Sequence, residues 1–299
     1  MDGRYAPSPS GPLHLGNLRT ALLAWLFARS AGSRFGLRIE DLDPERSRER
    51  WVESQLGDLT ALGLEWDGHP TRQSERTPLY EEALDSLRRE ALIYECFCTR
   101  REIREAASAP HGPGPEGAYP GTCRELSSSA RRQTLDAGRR AALRVRAGGA
   151  SVAFTDRLQG EHEGTVDDFV VRRNDGAFAY NLAVVVDDGE QGIAEVVRGA
   201  DLLDSTPRQL WLAARLGLEP PGHVHVPVVL GPDGQRLAKR HGAVTLADRI
   251  ELGESAAEVR AVLAASMGLC EPGERPEIAE LLTRFDPEQL PHESAQLVL

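Results

Sequence analysis

The sequence feature that most constrains the fold is a stiff loop near the N-terminus that leads directly into an apolar helix pattern. Residues 6–30 read APSPSGPLHLGNLRTALLAWLFARS, in which prolines and glycines crowd around a single histidine, His14. Such residues mark a loop, and the apolar spacing after it predicts an amphipathic helix over residues 18–30. Residues 3–6 read as a short strand. A strand joined by a tight loop to a helix is typical of the first unit of an α/β fold.

The next segments repeat this alternation. RFGLRIEDLD, residues 34–43, predicts a second strand that ends in carboxylates, with Pro44 stopping it. Helix patterns follow at residues 48–62 and 78–92. The order strand, helix, strand, helix predicts a parallel sheet.

The alternation is interrupted between Cys96 and Leu126, where SAPHGPGPEGAYPG predicts a loop. After it we expect an arginine-rich helix over residues 131–146. Strand patterns follow, with a hairpin turn at Asn174-Asp175-Gly176. This interruption indicates an inserted domain.

From residue 181 the α/β alternation returns. GIAEVVRG predicts a strand, STPRQLWLAARLG predicts a helix capped by Ser205 with Pro207 in its first turn, and HVHVPVVL predicts a further strand. GPDGQRLAKRHG predicts a turn-rich loop. The predicted organisation is a nucleotide-binding domain in two halves, residues 1–92 and 169–242, with an inserted domain at residues 93–168 and a short helical C-terminal region at residues 243–299.

Composition and charge set outer limits on function. With 299 residues, 40% of them hydrophobic, the chain can bury a substantial core. The formal net charge is −11, but residues 251–299 hold ten acidic and three basic residues, whereas residues 131–146 hold six arginines and one acidic residue. This arginine-rich stretch is either a solvated helix face or a local contact for phosphates.

No segment indicates a membrane or a secreted protein. The N-terminus shows no signal pattern, and the longest apolar run is only ALLAWLFA. Four unevenly placed cysteines do not indicate a disulfide framework. We expect a cytoplasmic protein without membrane contact.

One residue stands out by its type. Of the 35 basic residues, Lys239 is the only lysine, and it lies in the turn-rich loop. Lysine is a compact charge on a flexible stem, whereas arginine is a planar fork. We therefore expect a role for Lys239 that arginine does not fill.

The N-terminal loop is suited to phosphate binding. A helix N-terminus presents amide groups and the positive end of the helix dipole, and glycine lets a ligand approach the backbone. Gly11 and Gly16 supply that access, and His14 adds a hydrogen-bond donor. The alternative is an ordinary strand-to-helix turn with a surface histidine.

Together these stretches resemble the class I glutamyl- and glutaminyl-tRNA synthetases. PSPSGPLHLGN, LRIEDLDPERS, YNLAVVVDD, VVRGADLLDSTPRQ and RLAKRHG follow one another in that family's order over residues 3–242. HLGN, residues 14–17, matches the HIGH signature, and RLAKR, residues 236–240, matches KMSKS. Ala238 replaces a residue that is often serine, which we expect to tune loop contacts. The resemblance implies an α/β, Rossmann-type class I synthetase catalytic domain split by a zinc-containing insertion.

The resemblance also implies that a carboxylate is activated by attack on the α-phosphorus of ATP, with Mg²⁺ accompanying the triphosphate. Negative charge builds on the phosphate oxygens, so a mobile cation is most valuable in the transition state. His14 and Lys239 are expected to be catalytic. The expected ATP-binding residues are His14, Gly16, Asn17 and Lys239.

The amino acid implied by the resemblance is L-glutamate. The arginines that match Arg4 and Arg198 meet the side-chain carboxylate in the family, assisted by the tyrosine that matches Tyr180. Paired arginines suit a carboxylate and reject a neutral amide. Glu40 would hold the α-ammonium group; the alternative for Glu40 and Asp41 is a solvated strand end. The expected glutamate-binding residues are Arg4, Ala6, Ser8, Glu40, Tyr180 and Arg198.

The insertion holds three of the four cysteines together with a tyrosine, in the pattern Cys-x-Cys and Tyr-x-x-x-Cys. Thiolates at such spacing can enclose a tetrahedral zinc ion, and this pattern resembles the glutamyl-Q tRNA(Asp) synthetases, shortened relatives of glutamyl-tRNA synthetase. The expected ligands of one structural Zn²⁺ are Cys96, Cys98, Tyr119 and Cys123. His111 is a rival fourth ligand, and buried free thiols are the alternative. Cys270 has no assigned role.

The resemblance leaves more than one function open. Only 60 residues follow Lys239, and they are acidic, which suits poorly the binding of an anticodon stem. This favours an enzyme that activates glutamate without tRNA and transfers it to queuosine in tRNA(Asp), with ATP, L-glutamate and that tRNA as partners of a monomer. The alternatives are a truncated glutamyl-tRNA synthetase that charges tRNA(Glu) and a non-catalytic tRNA-binding remnant.

Overall fold

The computed structural model describes residues 2–107, 119–231, 233–235, 237, 241–242 and 244–297. It begins with the predicted strand–loop–helix unit: strand β1 (Asp2–Tyr5), the loop of residues 6–13 and helix α1 (Leu15–Ser30). The helix starts at Leu15 rather than Leu18 because His14 caps it. Residues 16 and 17 therefore belong to its first turn.

Strands and helices alternate along most of the described chain. Further strands are β2 (Phe35–Ile39), β3 (Thr71–Arg72), β4 (Ile93–Cys96), β5 (Ala142–Val145), β6 (Ala150–Asp156), β7 (Gly160–Val166), β8 (Val170–Arg172), β9 (Ile193–Gly199), β10 (Gly222–Val226), β11 (Val229–Leu230) and β12 (Ala295–Gln296). Further helices are α2 (Glu49–Ala61), α3 (Thr77–Arg89), α4 (Arg100–Ala107), α5 (Ser128–Asp136), α6 (Tyr180–Glu190), α7 (Thr206–Leu216), α8 (Leu246–Glu251), α9 (Ala256–Ala265) and α10 (Ile278–Arg284).

A seven-stranded sheet forms the body of the molecule, in the order β3-β2-β1-β9-β10-β6-β7. Neighbouring strands are parallel except for the β6–β7 hairpin. The strand order reverses between β1 and β9, where a strand from the first half of the chain lies beside a strand from the second. In such a sheet, ligands bind in the crevice at the carboxyl ends of the strands at this switch point. The loop of residues 6–13 leaves β1 at this end, so the α/β fold places it at the crevice.

The inserted segment contributes to two sheets. β4, β5 and β8 form a separate antiparallel sheet of three strands. The β6–β7 hairpin lies within the predicted insertion of residues 93–168, but it extends the large sheet through β10. Val145, Val166 and Phe169 share an apolar core with α3, α6 and α7. The insertion is therefore packed against α3 of the first half of the body as well as α6 and α7 of the second.

A buried carboxylate on α6 joins the two halves of the body. Asp187 accepts hydrogen bonds from Gln73 Nε2 at 2.8 Å, Arg76 Nε at 2.6 Å and Tyr80 Oη at 2.9 Å, and Arg38 Nε lies 3.6 Å away. All but Asp187 belong to the first half of the chain. Removing one partner from a buried ion pair costs about 3–5 kcal/mol, so Asp187 fixes α6 against α3 and β2.

The predicted arginine-rich helix over residues 131–146 is wrong in its second half. Helix α5 ends at Asp136, Gly138 adopts a left-handed backbone with φ of +79°, and residues 142–145 form β5. Glycine in that conformation ends helices. Leu143 and Val145 then alternate with arginines, and this period of two suits a strand.

Two details in the second half of the body, residues 169–242, also differ from the prediction. Pro207 lies in the first turn of α7 as expected, but the Ser205 side chain makes no capping hydrogen bond, because a 3₁₀ turn over Ala200–Ser205 runs straight into the helix. The stretch HVHVPVVL forms two strands that are interrupted at Pro227, which has no N–H for a ladder. The turn at residues 174–176 is confirmed, with Arg173 N donating to Ala177 O at 2.8 Å.

The C-terminal region contains the short helices α8, α9 and α10, and its strand β12 pairs with β11. Leu263 and Leu281 from this region are fully buried in the same core as α1. Within the described ranges, no helix is long and apolar enough to span a bilayer.

Candidate active site

A cavity of about 590 Å³ opens at the carboxyl ends of β1 and β9, beside the N-terminus of α1. It contains side chains from both halves of the chain. The predicted ATP- and glutamate-site residues that line it are Arg4, Ala6, Ser8, His14, Gly16, Asn17, Glu40, Tyr180 and Arg198. The fold therefore brings together all the described residues that the sequence analysis assigned to these two ligands.

The loop between β1 and α1 is held by a glutamine that the sequence analysis missed. Gln55, buried on α2, donates from Nε2 to Ser8 O at 3.1 Å and to Gly11 O at 2.7 Å. Glu40 N also donates to Pro7 O at 2.9 Å. These bonds hold the loop carbonyls, so the loop keeps its shape as a wall of the cavity.

His14 has a structural part in addition to its predicted phosphate contact. It is the N-cap of α1: Nδ1 accepts from Asn17 N at 3.1 Å, while Asn17 Oδ1 accepts from His14 N at 3.3 Å. This capping box fixes the ring against the helix start. Because Nδ1 is an acceptor, the neutral ring carries its hydrogen on Nε2, which can donate to a phosphate oxygen.

The absence of a side chain at Gly16 makes room for the His14 ring as well as for a ligand. A Cβ at position 16 would lie 3.0 Å from His14 Nδ1 and 3.1 Å from Cε1. Glycine therefore lets the imidazole lie flat over the first turn. The sequence predicts that Gly16 gives a ligand access to the backbone, and in the structure the His14 ring occupies part of that space.

Arg4 is held by a carboxylate next to Asp187. Asp188 accepts from Arg4 Nε at 3.0 Å and Nη2 at 3.3 Å, and from Arg38 Nη1 at 2.8 Å. Burial would raise the pKa of Asp188, but Arg38 and Arg4 lower it to about 2. Arg4 therefore reaches the cavity with its orientation fixed and its charge partly balanced.

Glu40 and Asp41, adjacent at the end of β2, have different surroundings. Glu40 lines the cavity, with Arg38 Nη2 3.7 Å from its Oε1. Burial raises the pKa of Glu40 to about 6, against the lowering effect of Arg38 and Arg4. Asp41 instead accepts from Ser74 N and Oγ, both at 2.8 Å. Of these two carboxylates, only Glu40 lines the cavity, where it could meet a ligand ammonium group.

Arg198 differs from Arg4 because its partners are neutral. Its guanidinium donates to His225 Nε2 at 2.9 Å, Gln209 Oε1 at 2.7 Å and Thr206 Oγ1 at 2.8 Å, and Tyr180 Oη lies 3.5 Å from Nη1. No carboxylate in the described ranges forms an ion pair with it. Burial lowers the pKa of Arg198, yet arginine stays protonated in proteins. A buried cation among neutral groups creates a site for an anion.

The lysine-bearing loop is described only in part. Arg236, Ala238, Lys239 and Arg240 lie outside the described residues, so the position of Lys239 remains a prediction. On one flank, the buried Leu237 donates from N to Val229 O at 2.8 Å. On the other, Val244 O accepts from Leu15 N at 2.7 Å. Both flanks of the loop therefore begin beside the cavity.

Three cysteines meet in the insertion. The Sγ atoms of Cys96, Cys98 and Cys123 lie within 4.8 Å of one another and could hold a metal ion. Tyr119 Oη is 3.3 Å from Cys96 Sγ and 3.7 Å from Cys98 Sγ. His111, the rival ligand, lies outside the described residues. Cys270 is elsewhere, with its Sγ 3.6 Å from Ala261 O.

Four of the six arginines in residues 131–146 contact other parts of the insertion. Arg131 Nη2 lies 2.7 Å from Glu95 Oε1, Arg139 Nη2 lies 2.7 Å from Glu102 Oε2, and Arg146 Nη1 lies 2.9 Å from Glu125 Oε1. The guanidinium of Arg144, which is buried, lies 3.8 Å over the ring of Tyr119. The arginines thus help to hold the cysteine cluster and its surroundings.

The chain is similar to known proteins over most of its length. Residues 1–267 match the family described as tRNA synthetases class I (E and Q), catalytic domain. A glutamyl-Q tRNA(Asp) synthetase from Nocardia farcinica is 59% identical over 97% of this chain and 91% of its own length, and one from Symbiobacterium thermophilum is 49% identical over 99% and 95%. The crystal structure of a glutamate tRNA ligase from Elizabethkingia meningosepticum, in complex with its amino acid, superposes with a TM-score of 0.84 at 26% identity, covering 99% of this chain and 67% of that chain.

The chain therefore belongs to the class I glutamyl- and glutaminyl-tRNA synthetase family and, within it, to the glutamyl-Q tRNA(Asp) synthetases. The resemblance stated from the sequence motifs is confirmed, as is the fold class.

Several residues that organise the site were not singled out in the sequence. They are Gln55, Asp187, Asp188, Asp156 and His225. A signal for two of them was present, because adjacent aspartates inside the valine-rich stretch YNLAVVVDD must find partners if the helix is buried. The others have no local pattern that marks them.

Glutamate use should depend on the protonation of Glu40. Because its pKa is raised to about 6, Glu40 is a carboxylate above that pH and takes up a proton as the pH falls through it. The neutral form cannot hold the ammonium group. At saturating MgATP, we expect kcat/KM for glutamate in pyrophosphate exchange to fall about threefold to fivefold between pH 7.5 and 5.5.

The matched control is Asp58, whose pKa burial also raises to about 6 but which does not line the cavity. Glu40→Gln should lower kcat/KM and remove the inflection, whereas Asp58→Asn should keep it. An inflection that persists in Glu40→Gln would show that another group controls glutamate binding.

Proposed function

We propose that the protein activates L-glutamate with ATP, in the absence of tRNA, and transfers the glutamyl group to queuosine in the anticodon of tRNA(Asp). In the first step, a glutamate α-carboxylate oxygen attacks the α-phosphorus of ATP and pyrophosphate leaves. In the second, a hydroxyl of the queuosine cyclopentene-diol attacks the glutamyl carbonyl carbon and AMP leaves. ATP and tRNA as partners favour a cytoplasmic location.

The observation that carries this proposal is the charge pattern of the cavity. A buried guanidinium, Arg198, has neutral partners, and Arg4 lies in the same cavity with its charge shared with Asp188. A ligand with a carboxylate supplies the missing negative charge, whereas an amide does not. Glu40 supports binding of the α-ammonium group at the other end of the same amino acid.

The ATP half of the cavity is the N-terminus of α1. Gly16 and Asn17 of its first turn and the His14 ring line the cavity at the positive end of the helix dipole, where phosphate oxygens would be favoured. Mg²⁺ is expected to arrive on the triphosphate, because it is usually bound through substrate phosphates with few protein ligands. We assign Lys239 the task of neutralising the charge that develops as pyrophosphate leaves. The adenylate is a good leaving group, so transfer depends on positioning rather than on a dedicated base.

The choice of acceptor rests on the relatives. Two relatives that this chain matches over nearly their whole length are named glutamyl-Q tRNA(Asp) synthetases. Neither alternative, charging of tRNA(Glu) or a non-catalytic remnant, is favoured by a feature of the site. His14, which a remnant could have lost, is present and lines the cavity as the N-cap of α1.

Pyrophosphate exchange tests the first step. We expect exchange that requires glutamate, proceeds without tRNA and is not supported by glutamine. Lys239→Ala should lower the rate about 100- to 1,000-fold, the usual cost of losing one group that stabilises transition-state charge. Lys239→Arg, which keeps the charge but not the compact shape, should recover only part of it. A strict requirement for tRNA, or an undiminished rate in Lys239→Ala, would overturn the proposal.

Charging with radiolabelled glutamate tests the second step. We expect label on tRNA(Asp) that contains queuosine, and none on tRNA(Asp) without queuosine or on tRNA(Glu). Label at the 3′ end of tRNA(Glu) would instead support the truncated glutamyl-tRNA synthetase.

We also propose that the cysteine cluster holds one structural Zn²⁺, with Tyr119 as the fourth ligand. The donor set fits: zinc–sulfur bonds of about 2.3 Å put the sulfurs of a tetrahedron roughly 3.8 Å apart, and Cys98 Sγ and Cys123 Sγ lie 3.5 Å apart. Tyr119 Oη is close to two of the sulfurs and accepts from Cys123 N at 2.8 Å. A bound ion would hold the end of β4 to the segment before α5.

Metal analysis by mass spectrometry tests this site. We expect about one zinc ion per wild-type chain and loss of most of it in Cys98→Ser, whereas Cys270→Ser, in which the distant cysteine is changed, keeps it. Tyr119→Phe and His111→Ala separate the two candidate fourth ligands. Weaker binding in His111→Ala but not in Tyr119→Phe would contradict the assignment of tyrosine.

A further inference from the structure

Behind the cavity, three buried side chains form a hydrogen-bonded series that ends on Arg198. Asp156 on β6, His225 on β10 and Arg198 on β9 lie on adjacent strands, and His225 and Arg198 are paired in the strand register. Asp156 Oδ2 is 2.6 Å from His225 Nδ1, and His225 Nε2 is 2.9 Å from Arg198 Nε. Asp156 and His225 are fully buried, and neither lines the cavity.

Asp156 and Arg198, at the two ends of this series, determine which nitrogen of the His225 imidazole carries the hydrogen. A guanidinium only donates and a carboxylate only accepts. Asp156 is held as a carboxylate, since its Oδ1 also accepts from Leu158 N at 3.0 Å and Gln159 N at 2.9 Å. His225 must therefore carry its hydrogen on Nδ1 and present a lone pair to Arg198 from Nε2.

The protonation states agree with this arrangement. Burial raises the pKa of Asp156, but hydrogen bonds from His225 and Gln159 outweigh it and lower the pKa to about 2. The pKa of His225 is lowered, because the effect of burial outweighs the hydrogen bond to Asp156, which raises it. At neutral pH the carboxylate is charged and the ring is neutral.

The ring is one of three supports around the guanidinium. Gln209 Oε1 accepts from Nη1 at 2.7 Å and Thr206 Oγ1 accepts from Nη2 at 2.8 Å, while His225 accepts from Nε. Together they fix the plane of the guanidinium at the wall of the cavity. A carboxylate at position 225 would hold Arg198 equally well but would also neutralise it. The neutral ring holds Arg198 in place and leaves its charge for the ligand.

We propose that Asp156 and His225 are positioning residues for Arg198: the carboxylate selects the imidazole tautomer that accepts from the guanidinium, and this orients Arg198 for the side-chain carboxylate of glutamate. The inference rests on the proposed activation of glutamate. Neither residue lines the cavity, and both act through Arg198, so their loss should raise KM for glutamate and leave KM for ATP unchanged.

Asp156→Asn is the most direct variant. Its amide can donate to His225 Nδ1, and the ring hydrogen then moves to Nε2. His225 Nε2 and Arg198 Nε would both be donors, and their hydrogen bond would be lost. We expect KM for glutamate in pyrophosphate exchange to rise about 10- to 100-fold and KM for ATP to change less than about twofold. The ¹⁵N shifts of the His225 ring should report hydrogen on Nδ1 in the wild type and on Nε2 in Asp156→Asn. A shifted tautomer with unchanged KM for glutamate would overturn the inference.

Two substitutions of the histidine give a second measurement that does not depend on the folding of Asp156→Asn. In His225→Gln the amide oxygen can accept from Arg198 Nε, so KM for glutamate should stay within about fivefold of the wild-type value. In His225→Leu no acceptor remains, so KM for glutamate should rise as much as in Asp156→Asn. His223→Gln is the control, because this neighbouring buried histidine stacks on His225 with ring centroids 5.9 Å apart and makes no hydrogen bond to Arg198 in the described structure. Equal KM values in His225→Gln and His225→Leu would contradict the proposal.

The two proposals can fail separately. If the wild type shows no glutamate-dependent exchange, the proposed function is wrong, and the ring shifts still report whether Asp156 selects the tautomer. A wild-type ring that carries hydrogen on Nε2 contradicts the inference even in a fully active enzyme.

Discussion

The structure depends on the buried ion pairs made by two adjacent aspartates of α6. Asp187 and Asp188 belong to the second half of the body, and their partners, Arg4, Arg38 and Arg76, belong to the first. Both aspartates, Arg4 and Arg38 are buried and Arg76 is partly exposed, so separating the halves would leave several buried charges uncompensated. The same pairs set the orientation of Arg4 at the end of β1. The contacts that join the divided domain therefore also build one wall of the cavity.

The arginines of the site differ in how their charge is balanced. Arg4 and Arg38 share the carboxylate of Asp188, whereas Arg198 is surrounded by a ring nitrogen, an amide oxygen and hydroxyl groups. A buried cation without an anion is costly, and here the substrate is proposed to supply the anion. Selectivity for glutamate over glutamine would then arise from charge, since the two side chains have nearly the same shape. Because the pKa of Glu40 is raised, we expect the opposite end of the site to be sensitive to pH.

The sequence predicts a structural feature well when the residues that cause it are close together in the chain. The strand–loop–helix unit, the cysteine spacing and the Asn174-Asp175-Gly176 turn have local patterns, and the structure shows each. The sequence predicts helix throughout residues 131–146, but Gly138 ends the helix and residues 142–145 pair with strand β4. Asp188 and Arg4 are 184 positions apart, and Asp156 meets His225 only through the order of strands in the sheet. Such partners follow from topology, and no short motif contains them.

The central claim is that a negative charge on the ligand side chain completes the cavity. Calorimetric titration with two non-reactive adenylate analogues, glutamyl-sulfamoyl adenosine and glutaminyl-sulfamoyl adenosine, tests it most directly, because the two differ in the charge of the side chain. The account predicts that the glutaminyl analogue binds at least about 100-fold more weakly. Dissociation constants within about threefold of each other would show that Arg198 does not select its ligand by charge.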